Sequence, residues 1–382
     1  MMRPMKLAGS ELMFGWGCLD YIKNIKANRV SIVIGGSSMQ KSGILEKVEG
    51  YFIQSNAKTQ VISDVEPDPS FKTVLRGANK MLEFQPDLIV GLGGGSVMDA
   101  AKAMWIFYEN PELQTMEDIL PPNEFPKLRK KARLCCIPST SGTASEVSRS
   151  IVISDNETGQ KHGIGNMEMM PDIAICDPEV TMSMPQRITA ETGMDALTHA
   201  LEALVSNRAN YVSDILARKA AIDIIDYLPF AYQDGKDKKA REIMLQASMI
   251  AGMAFTNVSL GIVHSMAHTI GSVFHISHGL ADAIILPYVI KYNSQNLEAR
   301  EVYKSLESQI GGVSLVDKIQ ELNKKMQIPS SFSELILDEQ HYLDKLEEMA
   351  ILAKNDGCTK TNPVIPTLDE FKTLFMKIYK GE

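Results

Sequence analysis

The fold of this chain is decided by residues 87–96, Asp-Leu-Ile-Val-Gly-Leu-Gly-Gly-Gly-Ser. The apolar run is typical of a buried strand, and the glycines after it allow a tight turn that leads straight into a helix. Strand-like apolar runs that alternate with helical segments also lie at residues 29–34, 59–63, 133–137 and 173–176. Strands that alternate with helices predict a parallel sheet covered on both faces, a Rossmann-like α/β fold.

Helical periodicity replaces this alternation after Pro185. Nine segments have helical spacing, and none has the pattern of a strand: 189–205, 211–228, 238–256, 260–273, 282–291, 297–310, 313–326, 339–354 and 367–379. We therefore expect an N-terminal α/β domain, residues 1–183, and an all-helical domain, residues 184–382.

Composition narrows the class of partner. The chain has 382 residues and a net charge of −8, and it lacks the basic stripe that would neutralise nucleic-acid phosphates. The five cysteines form no CxxC pair, and no signal peptide or membrane span is visible. These features favour a cytoplasmic protein with a small-molecule partner, and they exclude nucleic acid and membrane as main partners.

Two polar loops follow strands of the predicted sheet. Residues 93–96 open a helix whose N–H groups and dipole can bind a phosphate, and residues 138–146 combine hydroxyls with backbone amides. Both lie at the carboxyl edge of the sheet, where such folds bind ligands. Neither glycine cluster, residues 35–36 or 93–95, matches GxGxxG or a P-loop. A purely steric turn and a capped helix start remain alternative interpretations.

The turn after the first strong strand bears on the choice of cofactor. Dinucleotide folds specific for NAD place an acidic side chain here, where it binds the ribose 2′-hydroxyl. Gly35-Gly36-Ser37-Ser38 has no acid, and Lys41 follows closely. Two hydroxyls, open space and a cation suit a 2′-phosphate, so the turn favours NADP(H) over NAD(H).

Five potential metal ligands lie in one apolar region of the helical half. Asp195 and His199 are four residues apart, as are His264 and His268, and His278 follows. Side chains at this spacing share one face of a helix. Mixed oxygen and imidazole donors suit Fe(II) or Zn(II) better than Mg(II) or Ca(II). Hydrogen-bonded core histidines and a capping aspartate are the alternative, and spacing alone does not decide which side chains are ligands.

In these motifs the chain resembles the iron-containing (group III) alcohol dehydrogenases, which have the dehydroquinate synthase-like fold. The resemblance covers essentially the whole chain and is carried by residues 93–96 with Asp99, 138–143, 193–200, 261–268 and 275–279. Within the family, the chain is most similar to clostridial NADPH-dependent butanol dehydrogenases, which share the Gly-Gly-Ser-like first turn.

The resemblance implies a set of site residues. The implied metal ligands are Asp195, His199, His264 and His278. The implied cofactor contacts are Gly94, Gly95, Ser96, Asp99, Thr140, Ser141, Thr143 and Lys161, joined in NADP-type members by Gly36, Ser37 and Ser38. His268 matches a family histidine near the nicotinamide. The implied catalytic residues are Asp195 and His264, which hold the metal, and His268, which relays the alcohol proton or only lines the cleft.

The resemblance also implies the reaction. We expect reversible hydride transfer between NADP(H) and a primary alcohol or aldehyde, at Fe(II) or else Zn(II), in a homodimer. A zinc-dependent glycerol or polyol dehydrogenase and a dehydroquinate synthase-like lyase share the fold and remain alternatives. A metallohydrolase is disfavoured because the pair His264 and His268 lacks the glutamate of a zincin. A non-catalytic metal-binding protein would leave the anion-binding loops unexplained.

Overall fold

The computed structural model describes residues 4–120, 122–155 and 161–382. The chain divides into two compact units, Met1–Met184 and Pro185–Glu382. The first contains every strand of the described residues, and the second contains helices only. The expected combination of an α/β fold with an all-helical fold is confirmed.

A six-stranded parallel sheet forms the centre of the first unit, with strand order β1-β8-β5-β4-β2-β3. A separate antiparallel pair is formed by β6 and β7. The strands are β1 (Glu11–Phe14), β2 (Arg29–Val33), β3 (Lys58–Ile62), β4 (Leu88–Gly93), β5 (Arg133–Pro138), β6 (Ser150–Ser154), β7 (Lys161–Gly165) and β8 (Ile173–Cys176). The sequence interpretation missed β1, β6 and β7, because they are short and two of them are partly polar.

Helices cover both faces of this sheet because its central strands are apolar on both sides. Side chains such as Ile32 and Val90 belong to the core cluster that contains α2, whereas Val33 and Ile89 belong to the cluster that contains α3 and α4. The helices of the unit are α1 (Ser38–Lys41), α2 (Ile44–Gln54), α3 (Phe71–Phe84), α4 (Gly95–Glu109) and α5 (Pro178–Thr181). This alternation is the one expected of strands buried on both faces.

The chain reverses its direction across the sheet between β2 and β4. From β2 the chain first adds β3 on one side, and it then places β4, β5 and β8 on the other side. Gly93 at the end of β4 pairs with Pro138 at the end of β5. The loops at 35–38, 94–96 and 139–145 therefore leave one edge of the sheet. Such a switch point is where doubly wound folds bind ligands.

The second unit consists of nine long helices within the described residues. They are α6 (Gln186–Val205), α7 (Tyr211–Gln233), α8 (Lys238–Val258), α9 (Ile262–Phe274), α10 (His278–Asn293), α11 (Leu297–Gln309), α12 (Leu315–Lys325), α13 (Glu339–Asn355) and α14 (Leu368–Lys380). Their number agrees with the periodicity of the sequence. The starts of α6, α9 and α12 differ from the expected ones by two or three residues, and α10 begins at His278, four residues before the expected 282.

No single helix of the described residues is long and apolar enough to cross a membrane. Among these residues, only α8 and α9 taken together have the length and apolar composition of a span, and they are bent by 101° at their junction.

Candidate metal and cofactor sites

Three helices of the second unit carry the acid and histidines that the sequence singled out. Asp195 and His199 lie one turn apart on α6, and His264 and His268 lie one turn apart on α9. His278 is the first residue of α10. Asp195, His199 and His264 are buried. All five side chains therefore belong to the second unit.

One carboxylate oxygen lies at the centre of the cluster. Oδ1 of Asp195 lies 3.5 Å from Nδ1 of His199 and 3.7 Å from Nε2 of His264. It lies 3.9 Å from Nε2 of His278. Two atoms that each lie about 2.1 Å from one ion are at most about 4.2 Å apart. These distances are therefore compatible with ligands that share one ion.

Several ligand atoms of the cluster have no hydrogen-bond partner. Oδ1 of Asp195, Nε2 of His264 and both carboxylate oxygens of Asp282 are buried without one. Burying such groups unpaired costs free energy that hydrogen bonds or a bound cation would offset. The convergence of orphaned oxygen and nitrogen atoms in an apolar site fits a divalent transition-metal ion.

Burial and neighbouring charges set the protonation states of this cluster. Burial opposes charge on Asp195, yet His199 and the other histidines hold the pKa of its carboxyl well below its usual value. Burial raises the pKa of Asp282 well above its usual value, and the Asp195 carboxylate adds to this effect. Burial also lowers the pKa of His278 well below its usual value, which favours the neutral imidazole that binds metals.

Glu202 on α6 fixes the orientation of His264. Its Oε2 lies 2.6 Å from Nδ1 of His264, and its carboxylate also accepts the backbone N–H groups of Gly261 and Val263 at 2.8 and 2.7 Å. A carboxylate on Nδ1 leaves Nε2 to face the ligand cluster, the usual arrangement behind a metal-binding histidine. Sequence reasoning missed Glu202, although it follows Asp195 by seven residues on the same helical face.

Asp282 is a second residue that sequence reasoning missed. Among the described residues, Asp195, His264, His278 and Asp282 each offer a ligand atom within 4.8 Å of the others. His199 is not a member of this group of four, although it adjoins Asp195. Because the predicted helix began at residue 282, the spacing of four residues between His278 and Asp282 on α10 was not recognised.

His268 belongs to a separate polar group. Its Nδ1 lies 2.8 Å from Oδ2 of Asp356, whose Oδ1 accepts the backbone N–H of Cys358 at 2.8 Å. Burial opposes charge on Asp356, yet the bond to His268 holds the pKa of its carboxyl well below the usual value. Burial raises the pKa of the Cys358 thiol well above its usual value, which disfavours the thiolate that a metal would require. Asp356 lies 88 residues from His268, so no local sequence pattern indicates their contact.

The glycines of the first unit admit both a steric and a ligand-binding interpretation. Gly94 precedes α4 in extended conformation and offers no side-chain cap, which leaves the helix N-terminus suited to an anion. A Cβ atom on Gly95 would lie 2.5 Å from Cγ2 of Thr143, and one on Gly94 would lie 3.4 Å from Cγ2 of Thr140. The absence of side chains therefore also allows the hydroxyl-rich loop to pack against the start of α4, which contains Ser96.

The other polar residues among the implied cofactor contacts differ in their hydrogen-bond partners. Oγ of Ser141 is buried without a hydrogen-bond partner. Asp99, in contrast, accepts hydrogen bonds from Oγ of Ser145 at 2.6 Å and from the backbone N–H of Val152 at 2.9 Å. Lys161 lies on β7, where its Nζ is 2.8 Å from a carboxylate oxygen of Asp68. Asp99 and Lys161 are thus engaged within the protein, whereas Ser141 retains an unused polar atom.

The first turn is open to solvent. Gly36, Ser37 and Ser38 are exposed, and a Cβ atom on Gly36 would meet no atom within 4 Å. The structure also brings an acid beside this turn, because the backbone N–H of Asp64 donates to the carbonyl of Gly35 at 3.2 Å. The Asp64 carboxylate accepts a hydrogen bond from Ser63, the preceding residue. Sequence reasoning had counted no acid here.

Comparison with known proteins identifies the family. Models described as "Iron-containing alcohol dehydrogenase" and "Fe-containing alcohol dehydrogenase family, C-terminal" match residues 9–178 and 189–379. The chain is 45% identical to an NADPH-dependent butanol dehydrogenase of Clostridium saccharobutylicum over 97% of both chains. It is 39% identical to aldehyde-alcohol dehydrogenase 2 of Entamoeba histolytica, of which it spans 46%. The solved iron-containing alcohol dehydrogenase of Thermococcus thioreducens matches with a TM-score of 0.92 and 35% identity over 99% of this chain and 100% of that one. This chain therefore belongs to the iron-containing alcohol dehydrogenase family.

Proposed function

We propose that this alcohol dehydrogenase transfers hydride reversibly between NADP(H) and a primary alcohol or aldehyde of about the size of butanol and butyraldehyde. The observation that carries the proposal is the buried ligand cluster around Asp195 and His264, whose facing atoms have no hydrogen-bond partners. Similarity to a butanol dehydrogenase that depends on NADPH supports the choice of cofactor and substrate.

The helical domain, residues 184–382, holds the metal in this proposal. Its ligands are Asp195, His199, His264 and His278. A divalent cation, Fe(II) or else Zn(II), supplies Lewis acidity for chemistry at the substrate oxygen. The helices bury Asp195, His199 and His264, and the 2.6 Å contact with Glu202 holds His264 with Nε2 toward the cluster.

In this proposal, His268 accepts the proton of the alcohol and donates it back in the reverse reaction. The Asp356 carboxylate at 2.8 Å keeps a proton on Nδ1 of His268, so that Nε2 is the basic nitrogen. A positioned imidazole can accept the proton of an alcohol and return it to the product of aldehyde reduction. Asp356 is a positioning residue, because it acts through His268.

The α/β domain, residues 1–183, binds the dinucleotide in this proposal. Its phosphates lie at the start of α4, and its contacts are Gly94, Gly95, Ser96, Thr140, Ser141 and Thr143, with Lys161 at a greater distance along the chain. Asp99 contributes by holding Ser145 and hence the hydroxyl-rich loop. Gly36, Ser37 and Ser38 receive the 2′-phosphate of NADP(H). Two such chains form a homodimer in the cytoplasm, a compartment that suits the five free cysteines.

The proposal is tested by aldehyde-dependent oxidation of NADPH. Protein stripped with a chelator and reloaded anaerobically with Fe(II) is assayed with butyraldehyde, and NADH is assayed in parallel. We expect activity to return with the metal and to be higher with NADPH. Folded, metal-loaded protein that oxidises neither cofactor would contradict the proposal and favour a lyase.

A further inference from the structure

We propose that Asp282 is an additional ligand of the metal, so that the site carries two carboxylates. This inference rests on the proposed metal site and deepens it. The residues implied by the family resemblance do not include Asp282. Its presence in the cluster follows from the distances among ligand atoms in this chain.

The first argument is the burial of an unpaired acid. Asp282 is 0% exposed, its neighbours Ala281 and Ala283 are equally buried, and neither carboxylate oxygen makes a hydrogen bond. Its ion-pair contact within the described residues is with a histidine, and no lysine or arginine lies within 4.0 Å of it there. An ionised carboxylate in such surroundings without hydrogen bonds is costly unless a cation faces it.

The second argument concerns the atom that Asp282 approaches. Its Oδ2 lies 3.2 Å from Nε2 of His278, and this is the same nitrogen that lies 3.9 Å from Oδ1 of Asp195. A histidine that binds a metal through Nε2 carries no proton there, so it cannot donate to a carboxylate. Carboxylate oxygen and imidazole lone pair then repel each other unless one cation binds both.

The third argument is charge. With a metal bound, the ionised carboxylates of Asp195 and Asp282 together supply two negative charges and neutral histidines supply none, so a divalent ion makes the ligand set neutral in an apolar surrounding. One carboxylate alone would leave a net positive charge buried among the helices. Two oxygen donors also move the site toward metals that accept mixed oxygen and nitrogen ligands, such as Fe(II) and Mn(II).

The test compares metal binding by the wild-type apoprotein and by Asp282→Asn, which keeps the shape and removes the charge. Competition with a chromophoric chelator for Zn(II) and Co(II) measures affinity. We expect affinity to fall by about 10- to 100-fold or more, since loss of even an indirect partner has an effect of that size. We also expect the visible absorption of bound Co(II) to intensify, because lower coordination numbers give stronger ligand-field bands.

Glu191→Gln is the matched control. Glu191 is also a buried acid of this unit beside the start of α10, but its carboxylate is paired with Arg187 and with Ser277. We expect this variant to bind metal as tightly as the wild type and to melt at a lower temperature. The metal-free Asp282→Asn protein, in contrast, should melt at a higher temperature than metal-free wild type, because an unpaired buried acid has been removed.

The outcomes separate the inference from the proposed function. Unchanged metal affinity and an unchanged Co(II) spectrum in Asp282→Asn, with normal binding by the wild type, would overturn the role of Asp282 alone. Failure of the wild-type chain to bind any divalent metal would overturn the proposed site as well. If Asp282→Asn does not fold, X-ray absorption of the Zn(II)-loaded wild type decides, because a carboxylate ligand beyond the four proposed adds one light-atom neighbour.

Discussion

Buried polar groups behave differently in the two units of this protein. In the α/β unit, Lys102 is fully buried, and its Nζ donates to the carbonyls of Ser148 and Ser150 at 2.9 and 3.0 Å. In the helical unit, the carboxylate of Asp282 and Nε2 of His264 are buried without any hydrogen bond. The first arrangement is complete in itself, whereas the second fits the bound cation proposed above.

The α/β unit also contains a buried acid with an unpaired oxygen, Glu146. Glu146 is buried, and its Oε2 has no hydrogen-bond partner. Burial raises the pKa of its carboxyl to about 7. Glu146 belongs to no group of three or more potential metal ligands in the described chain. A single orphaned acid is satisfied by a proton, whereas several orphaned atoms that converge indicate a metal.

The largest expected effect is that of His264→Ala, which removes one of the unpaired ligand atoms of the helical unit. Loss of a ligand removes several kcal/mol of electrostatic stabilisation, so kcat/KM for butyraldehyde should fall on the order of 10³-fold. Metal content, measured by elemental analysis, should fall with it. NADPH binding, measured by fluorescence, should persist because the proposed cofactor contacts lie in the other unit. Near-normal activity and metal content would refute the ligand assignment.

Glu146→Gln tests whether the buried acid of the α/β unit is protonated, through the pH dependence of stability. The folded protein keeps a proton on Glu146 up to about pH 7, whereas the unfolded chain releases it near 4.5. Stability from this group is therefore present at low pH and falls as pH rises between these values. Between pH 4.5 and 7.5 the variant should gain about 3 kcal/mol relative to wild type in urea unfolding.

Glu109→Gln is the control for this pH experiment. Glu109 is another buried acid of the same unit, but it accepts hydrogen bonds from the backbone N–H groups of Lys130, Lys131 and Ala132. This variant should lose stability at neutral pH, where Glu146→Gln gains it. Parallel pH profiles for wild type and Glu146→Gln would mean that Glu146 is charged in the folded protein.

The same contrast explains which parts of the fold and of the site the sequence could predict. Periodicity and loop chemistry were enough for the fold class, and helical spacing placed Asp195 with His199 and His264 with His268 on shared helix faces. The choice of Asp195, His199, His264 and His278 as ligands came from the family resemblance and stays a prediction. Glu202 and Asp282 carry the same signal and were recoverable in principle. Asp356 was not, because its contact with His268 spans 88 residues and depends on tertiary packing. Asp64 beside the first turn was not predicted for the same reason, because the parallel pairing of β3 with β2 brings it next to this turn.

Gly36→Asp tests whether the open first turn sets the cofactor preference. The new carboxylate would enter a space where a Cβ meets no atom within 4 Å. It should repel a 2′-phosphate and accept a bond from a ribose hydroxyl. The ratio of kcat/KM for NADPH to that for NADH should then fall by about tenfold, which corresponds to about 1.4 kcal/mol. Gly43→Asp, beyond the turn, should leave the ratio unchanged, and an unchanged ratio in Gly36→Asp would contradict the proposed role of this turn.

The smallest effect concerns Ala144, in the hydroxyl-rich loop of the α/β edge. Its φ of 50° lies in the left-handed region, which costs a residue with a Cβ about 1–2 kcal/mol. Glycine relieves this strain but loses about 0.5–1 kcal/mol to the greater freedom of the unfolded chain. Ala144→Gly should therefore raise the free energy of unfolding by somewhat under about 1 kcal/mol. Ala103→Gly, within α4, should lower it, and a destabilised Ala144→Gly protein would show that the alanine methyl group contributes packing that outweighs the strain.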